Sequence, residues 1–216
     1  NGCADDQVFS AMVQVYDTLP PNETLIYSVS VIDDHKVEII WANNPAIDLA
    51  GYIVYRKSDQ STNYNEIYTE TNLQNTNFNL TSSYIDSGLT TLTKSYTYKV
   101  QAIDICGYTI PLDQLTAHTT VNISSQRSGT NIAVDWTAYS GCPVSTYQVY
   151  RAAPGEPFSY LATVPGNTLN YLDSGFICPI PYRYKVIATD LCGTTYTSWS
   201  DTSQTYPLNT LENQVV

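Results

Sequence analysis

The stretch YIDSGLTTLTKSYTYKVQAIDICG, residues 84–107, returns as YLDSGFICPIPYRYKVIATDLCG at residues 171–193. Each copy begins with a Tyr-x-Asp-Ser-Gly turn, continues into a Tyr-x-Tyr-Lys-Val run and closes on Cys-Gly. Apolar and polar residues alternate along the first of these runs, which is the period of a β-strand with one buried face. The duplicated stretch therefore predicts a repeated β-domain.

The repeat extends upstream, where WANNPAIDLAGYIVYR at residues 41–56 is matched by WTAYSGCPVSTYQVYR at residues 136–151. Equivalent positions lie about 86–95 residues apart. Solenoid repeats have periods of roughly 20–50 residues, so a unit of this length is a small domain with its own core. Because short strands with regularly spaced turns favour a sandwich, we expect an all-β chain of two tandem sandwiches.

The two domains should occupy nearly the whole chain. We expect one sandwich over residues 21–121 and the other over residues 122–208, with the seam near 121–128, where polar residues and glycine cluster. Residues 1–20 fit neither copy, and they are either an N-terminal strand tied to the first sandwich or the tail of a preceding repeat. Residues 209–216 are expected to be a C-terminal tail.

Each copy resembles a fibronectin type III domain, which is an immunoglobulin-like β-sandwich. The family's second-strand tryptophan corresponds to Trp41 and Trp136. Its tyrosine corner, a strand tyrosine whose hydroxyl bonds to upstream backbone, corresponds to Tyr96 and Tyr182. The resemblance implies a scaffold that many kinds of protein use.

A narrower resemblance lies in the stretches VEIIW, GYIVYR, YIDSG and AIDICG, which are similar to repeats near the C-termini of large Bacteroidota surface proteins. It implies an extracellular location on the surface of a bacterium, with export by the type IX secretion system and an association with gliding motility. Other domains of the same large protein and the secretion or surface-attachment machinery would then be its partners.

The charge of the chain excludes some partners. A net charge of −11, with nine scattered basic residues, argues against nucleic acid, since phosphate binding needs clustered lysine and arginine. An anionic membrane surface is disfavoured for the same reason. No apolar run approaches the ~20 residues of a membrane span. We therefore expect neither nucleic-acid binding nor membrane insertion.

The chain has five cysteines. In the fibronectin type III topology the loop with Cys142 and the turn with Cys192 lie at one pole, so the resemblance implies a Cys142–Cys192 disulfide. Cys3 enters at the same pole, which makes Cys3–Cys106 the second pair. Cys178 is left over, and we expect it to be a small buried hydrophobe.

No catalytic constellation is visible. His35 and His118 are expected to be ordinary surface histidines, because neither lies near a Gly-x-Ser-x-Gly elbow. Asp86 and Asp173 begin the repeated Asp-Ser-Gly turn, where a carboxylate caps local backbone. No phosphate-binding or calcium-binding loop occurs. The sequence therefore predicts no enzyme, no cofactor and no metal.

Aromatic residues are the best candidates for ligand contacts. The nineteen tyrosines exceed what two cores need. Tyr139, in a polar loop of the second copy, and Tyr64 and Tyr68, in the Asn-rich stretch 58–80, are expected to be exposed. Exposed tyrosines can stack on sugar rings or anchor a protein interface.

A pattern near the end of the second copy predicts a stabilising device. The run from Tyr196 to Ser200, YTSWS, resembles a degenerate form of the Trp-Ser-x-Trp-Ser box of cytokine-receptor sandwiches. Arg183 and Lys185 should point outward from the neighbouring strand. We therefore expect a cation–π ladder that includes Trp199.

Three functions remain open. The first is a non-enzymatic spacer or adhesion region of an exported bacterial surface protein. The second is a carbohydrate-binding accessory module of a secreted polysaccharide-degrading enzyme, with glycans as partners. The third is a receptor-like protein-recognition pair, which an exposed apolar patch at residues 121–128 and in the 140s would support. In each case function should lie where the copies differ: residues 43–50 against 137–146, the Asn-rich insert 58–80 and the unpartnered Cys178.

Overall fold

The computed structural model describes residues 18–71, 81–177 and 180–205. Within these ranges the regular secondary structure is almost entirely β-strand, apart from two short 3₁₀ turns at Leu112–Gln114 and Leu191–Gly193. The strands, in chain order, are β1 (Ile26–Asp33), β2 (Lys36–Ala42), β3 (Leu49–Ser58), β4 (Asn65–Thr71), β5 (Thr81–Ser87), β6 (Tyr96–Asp104), β7 (His118–Thr119), β8 (Ile123–Ser128), β9 (Asn131–Trp136), β10 (Thr146–Ala152), β11 (Ser159–Pro165), β12 (Asn170–Asp173), β13 (Tyr182–Thr189), β14 (Ser198–Trp199) and β15 (Ser203–Thr205).

These strands form four antiparallel sheets. Strands β1 to β7 make a three-stranded sheet of order β1-β2-β5 and a four-stranded sheet of order β4-β3-β6-β7. Strands β8 to β15 repeat the arrangement as β12-β9-β8 and β11-β10-β13, with β14 and β15 both pairing with β13. The predicted fold, two tandem immunoglobulin-like sandwiches of the fibronectin type III kind, is confirmed.

Strand β6 contains the first Tyr-x-Tyr-Lys-Val run, where the alternation predicted a strand with one buried face. Its outward side chains are covered as well as its inward ones. Lys99 donates from Nζ to the carbonyl oxygen of Leu112 at 2.6 Å, and Gln101 donates from Nε2 to that of Ile110 at 2.6 Å. The connection after β6 therefore folds back over the outer face of its own strand. The inward side chains are all buried: Tyr96, Tyr98, Val100 and Ala102.

Each core is built around a tryptophan and a tyrosine from facing sheets. Trp41 meets Tyr52 edge to face with ring centroids 5.5 Å apart, and Trp136 meets Tyr147 at 5.6 Å. Such aromatic pairs contribute about 0.5–1.5 kcal/mol beyond their buried area. Both tryptophans thus occupy the core positions that the resemblance assigned to them.

The expected seam at residues 121–128 is wrong in one respect, because Ile123–Ser128 form β8, the edge strand of the second sandwich. It pairs with β9 in a continuous register from Ile123 opposite Trp136 to Ser128 opposite Asn131. Ile123 is buried, whereas most of the following residues are polar and exposed. An edge strand of this kind has the composition of a linker.

The aspartates of the repeated Asp-Ser-Gly turns do more than cap local backbone. Asp86 is 3 % exposed and accepts hydrogen bonds from Arg56 Nη1 at 2.8 Å and from the Tyr98 hydroxyl at 2.9 Å. In the second sandwich, Asp173 is bonded in the same way by Arg151 and Tyr184. A buried carboxylate needs such partners. The Tyr-Arg and Asp-Ser-Gly motifs of each copy therefore hold its two sheets together.

The tyrosine-corner positions flank these ion pairs. The Tyr96 hydroxyl accepts a hydrogen bond from the Thr90 backbone N–H at 3.1 Å, six residues upstream, which is the geometry of a tyrosine corner. Arg56 Cζ lies 5.7 Å from the centre of the Tyr96 ring. At the equivalent position Tyr182 is buried, with Arg151 Cζ 4.6 Å from its ring centre.

Candidate functional site

The two sandwiches meet at a joint, which consists of β1, Thr91 and His118 from the first sandwich and residues 139–142 and 192–201 from the second. Strand β1 is the edge strand of its sheet, so the backbone groups on its outer side need partners from elsewhere. The Val29 N–H donates to the Tyr139 hydroxyl at 3.2 Å, and the Ser198 hydroxyl donates to the Val29 carbonyl at 2.6 Å. The second sandwich thus satisfies the free edge of the first.

Tyr139 was expected to be an exposed ligand-contacting residue, and this expectation is wrong. It is 5 % exposed and lies inside the joint, where its hydroxyl is 2.8 Å from Nδ1 of His118. His118 is not a surface histidine either, since it is 1 % exposed. The polarity of the loop indicated solvent locally, but the first sandwich takes the place of solvent there.

Burial lowers the pKa of His118 to about 4, although the charge of Glu23 acts in the opposite direction. The ring is therefore neutral at pH 7. Because the Tyr139 hydroxyl accepts from Val29, we assign its own proton to Nδ1 of His118, which leaves the histidine proton on Nε2. Burial also raises the pKa of Tyr139, so this hydroxyl keeps its proton.

The predicted Cys142–Cys192 disulfide is confirmed, and it lies at the joint. Next to it, Gly141 has φ +115°, and a Cβ atom there would lie 2.4 Å from Cγ of the His118 ring. Cys192 Sγ lies 3.9 Å from the Ile26 carbonyl oxygen. A disulfide sulfur has no proton to donate, so this is a packing contact. The disulfide fixes the loop and the turn that together cover β1.

Further contacts extend the joint in both directions along β1. Tyr27 and Tyr196 stack with ring centroids 4.6 Å apart and planes 5° from parallel. The Trp199 N–H donates to the Ser30 hydroxyl at 3.0 Å. The Thr91 hydroxyl donates to the carboxylate of Asp201, and burial raises the pKa of that carboxyl group. The joint is therefore held at several separated points.

The residue that makes the joint sits where the two copies differ. The Tyr52 hydroxyl accepts from the Asn44 N–H at 2.6 Å, and the Tyr147 hydroxyl accepts from the Tyr139 N–H at 2.8 Å. Asn44 and Tyr139 are thus structural equivalents. Asn44 donates to the carbonyl of Asn22 in its own sandwich, whereas Tyr139 reaches the other sandwich. Comparison of the two copies in the sequence singled out this loop, but it did not indicate the loop's partner.

An open groove of about 330 Å³ lies beside the joint. Its walls come from both sandwiches and comprise Val31, Ile32, Phe158, Lys185 and Trp199. Lys185 Nζ lies 6.0 Å from the centre of the Trp199 ring and 5.6 Å from that of Phe158. Arg183 Cζ lies 5.2 Å from the Phe158 ring. The ladder expected for Trp199, Arg183 and Lys185 therefore includes Phe158 as a further ring.

The other two candidate tyrosines are half-buried and lie away from the joint. Tyr64 is flanked by two lysines, with Lys57 Nζ at 5.0 Å and Lys99 Nζ at 5.1 Å from its ring centre. Tyr68 stacks on Tyr84 with ring centroids 4.3 Å apart. Their role as ligand contacts stays a prediction.

The remaining cysteine predictions are not tested. Cys3, the proposed partner of Cys106, and Cys178 both lie outside the described residues. Cys106 itself is disulfide-bonded. In the described part of the chain, no three histidine, cysteine or acidic side chains are grouped so that they could hold a metal ion. The helices found there are also too short and too polar to cross a membrane.

Comparisons with known proteins place these features in context. No protein-family profile matches the chain. Over 86 residues, 39 % of the chain, it is 29 % identical to an amylopullulanase of Thermoanaerobacterium thermosulfurigenes. The match spans only 5 % of that enzyme.

Two solved structures are similar to the chain. An Fn3-like protein from Clostridium thermocellum is 26 % identical, with coverage of 44 % of this chain and 97 % of the other and a TM-score of 0.33. A two-domain fibronectin type III segment of chicken tenascin is 16 % identical, with coverage of 85 % and 97 % and a TM-score of 0.31.

Proposed function

We propose that this chain is a stiff, non-catalytic accessory region of a larger exported protein. The joint is the observation that supports this function. Interfaces between domains of one chain are commonly small and permit relative motion. Here the hydrogen bonds of Val29, the Tyr27–Tyr196 stack and the Thr91–Asp201 bond act at separate points, so rotation about any one of them breaks the others.

Export is part of this proposal. The Cys142–Cys192 disulfide favours an oxidising compartment outside the cytosol. The similarity of the repeats to those of Bacteroidota surface proteins supports display on a bacterial surface after type IX secretion, with a role in adhesion or gliding motility. Protease treatment of intact cells that encode the protein tests its exposure. Retention of the protein inside cells with an active type IX system would count against this route.

Nuclear magnetic relaxation tests the stiffness of the joint. In a stiff pair, backbone ¹⁵N amides of β6 and β13 report one rotational correlation time, that of the whole 24.0 kDa chain. Two loosely tethered sandwiches would report shorter and unequal times. Tyr139→Phe, which leaves the Val29 N–H without its acceptor, should shorten both times. Tyr160→Phe, at an exposed tyrosine of the second sandwich, is the matched control.

A second candidate function is carbohydrate binding as an accessory module. The similarity to an amylopullulanase supports it, because the 86 matched residues have the length of one sandwich and form a small part of a much longer enzyme. The groove beside Trp199 offers aromatic rings of the kind that stack on sugars. Titration with maltotriose and other short glycans tests the idea, and unchanged amide spectra at millimolar glycan would reject it.

The third function, a receptor-like pair that uses the seam, gains no support. In residues 121–128 and 140–146, none of the large hydrophobic side chains is exposed. The exposed positions there are mostly serine, with Gln126, Arg127 and Pro143. The expected apolar patch is therefore replaced by a polar surface.

A further inference from the structure

We propose that the groove between the sandwiches binds a carboxylate-bearing sugar unit, a uronate, with Lys185 as its charge partner. This inference deepens the carbohydrate-binding function and rests on it. The groove volume of about 330 Å³ is at the lower end of the range of about 300–1,000 Å³ that small-molecule sites occupy. It has room for one or two sugar rings rather than for a folded partner.

Lys185 brings a positive charge to the wall of the groove. Three salt bridges occur among the described residues, Lys36–Asp33, Arg56–Asp86 and Arg151–Asp173, and none of them includes Lys185. Its ammonium lies instead against the rings of Trp199 and Phe158. Asp201 acts on it only at longer range, and its carboxylate accepts hydrogen bonds from the Thr91 hydroxyl and the Thr202 N–H. This half-buried cation is thus open to an external anion.

The walls of the groove select among anions. Apart from Lys185, the groove is lined by apolar side chains, those of Val31, Ile32, Phe158 and Trp199. A free inorganic anion leaves that surface uncovered. A uronate combines a carboxylate with the apolar C–H face of a sugar ring, so it pairs with Lys185 and covers Trp199 or Phe158 at the same time.

The groove depends on the joint. Val31 and Ile32 belong to β1 of the first sandwich, whereas Phe158, Lys185 and Trp199 belong to the second. The Trp199 N–H bond to Ser30 fixes one wall against the other. Neither sandwich alone would supply the site, so binding also requires the stiff arrangement of the pair.

Titration of the whole chain with trigalacturonate, followed by amide and indole N–H chemical shifts, tests the proposal. We expect saturable shifts at Trp199 and around β1, and weaker binding at higher salt. Lys185→Met should weaken binding about tenfold or more, since a hydrogen bond to a charged group contributes about 1.5–3 kcal/mol. Lys57→Met is the matched control, because Lys57 also lies over an aromatic ring but outside the groove.

Trp199→Phe is a milder second variant, because it keeps an aromatic ring in the wall of the groove and should not prevent folding. We expect it to weaken binding only severalfold. Equal binding of maltotriose would overturn the role of charge but keep the carbohydrate-binding function. Tighter binding of hexaglutamate than of trigalacturonate would assign the groove to an acidic peptide instead. If trigalacturonate, maltotriose and hexaglutamate all fail to bind, both the uronate site and the carbohydrate-binding function are rejected. The stiffness of the joint is tested separately, by relaxation.

Discussion

Replacement of Gly141 by alanine should open the joint. The added Cβ would lie 2.4 Å from Cγ and Cδ2 of His118, more than 1 Å inside the ~3.5 Å at which carbon atoms normally touch. His118 is 1 % exposed and bonded to Tyr139, so its ring moves only if that bond breaks. Overpacking of this kind costs about 1–3 kcal/mol. The positive φ of +115° adds about 1–3 kcal/mol of backbone strain.

Gly155→Ala separates the two contributions. Gly155 also has a positive φ, +78°, but no atom lies within 4 Å of its Cβ position, so this variant carries backbone strain alone. Urea unfolding gives the free energy of unfolding of each variant, and small-angle X-ray scattering gives its dimensions. We expect Gly141→Ala to lose more stability and to increase the maximum dimension.

Removal of the His118 ring separates the steric clash at Gly141 from the backbone strain there. In a His118→Ala background the ring is absent, so Gly141→Ala should cost only its backbone strain, and the two substitutions should be strongly non-additive. The reasoning is refuted if Gly141→Ala and Gly155→Ala lose the same free energy within about 0.5 kcal/mol and scatter identically.

Lowering the pH from 7 to 5 should reduce the free energy of unfolding by about 2 kcal/mol, because the unfolded chain protonates His118 near 6.5 and the folded chain only near 4. The stabilisation is complete above pH 6.5 and is lost as the pH falls towards 4, as chemical denaturation at stepped pH will show. Replacing both Cys142 and Cys192 by alanine should cost about 4 kcal/mol in the second sandwich, since the disulfide closes a separation of 50 residues. Arg56→Met should cost about 3–5 kcal/mol in the first sandwich, because it leaves Asp86 buried without its cation. Calorimetry measures both losses.

Matched variants distinguish these effects from general damage. His118→Gln keeps an acceptor for the Tyr139 hydroxyl but does not titrate, so the loss between pH 7 and 5 should disappear; persistence would assign it to other groups. Asp201, with its raised pKa, acts in the opposite direction and is unaltered in that variant. Adding Asp86→Asn to Arg56→Met should restore most of the lost stability. A loss below 1 kcal/mol in the double cysteine variant would contradict the loop-closure argument.

The sandwiches were predictable from sequence because their strands carry a local signal. Alternation predicted a strand at the Tyr-x-Tyr-Lys-Val run that forms β6, because its apolar residues all face the core while its polar residues lie on the other face, under the connection that follows the strand. Strand β8 was missed because an edge strand with one buried residue looks like a linker. After Tyr196 the chain forms two short strands, β14 and β15, which pair with different parts of β13.

The joint was not predictable, because its contacts carry no pattern. Its contacts include serine hydroxyls, a glycine and the backbone of Val29, and such groups occur in any loop. The sequence indicated that Tyr139 lies in a polar loop, but it does not encode which surface that loop faces. Only the difference between Asn44 and Tyr139 at equivalent positions marked the loop as special.

The uncovered side of β1 has a consequence for the order in which the chain matures. Domains generally fold as units, N-terminal first. The first sandwich is complete near residue 121, whereas Ser198 comes almost 80 residues later. Until the second sandwich has folded, the edge of β1 presents unpaired backbone groups that can join a strand of another molecule. The second sandwich therefore protects the edge of the first from strand pairing with other molecules, but only after it has folded itself.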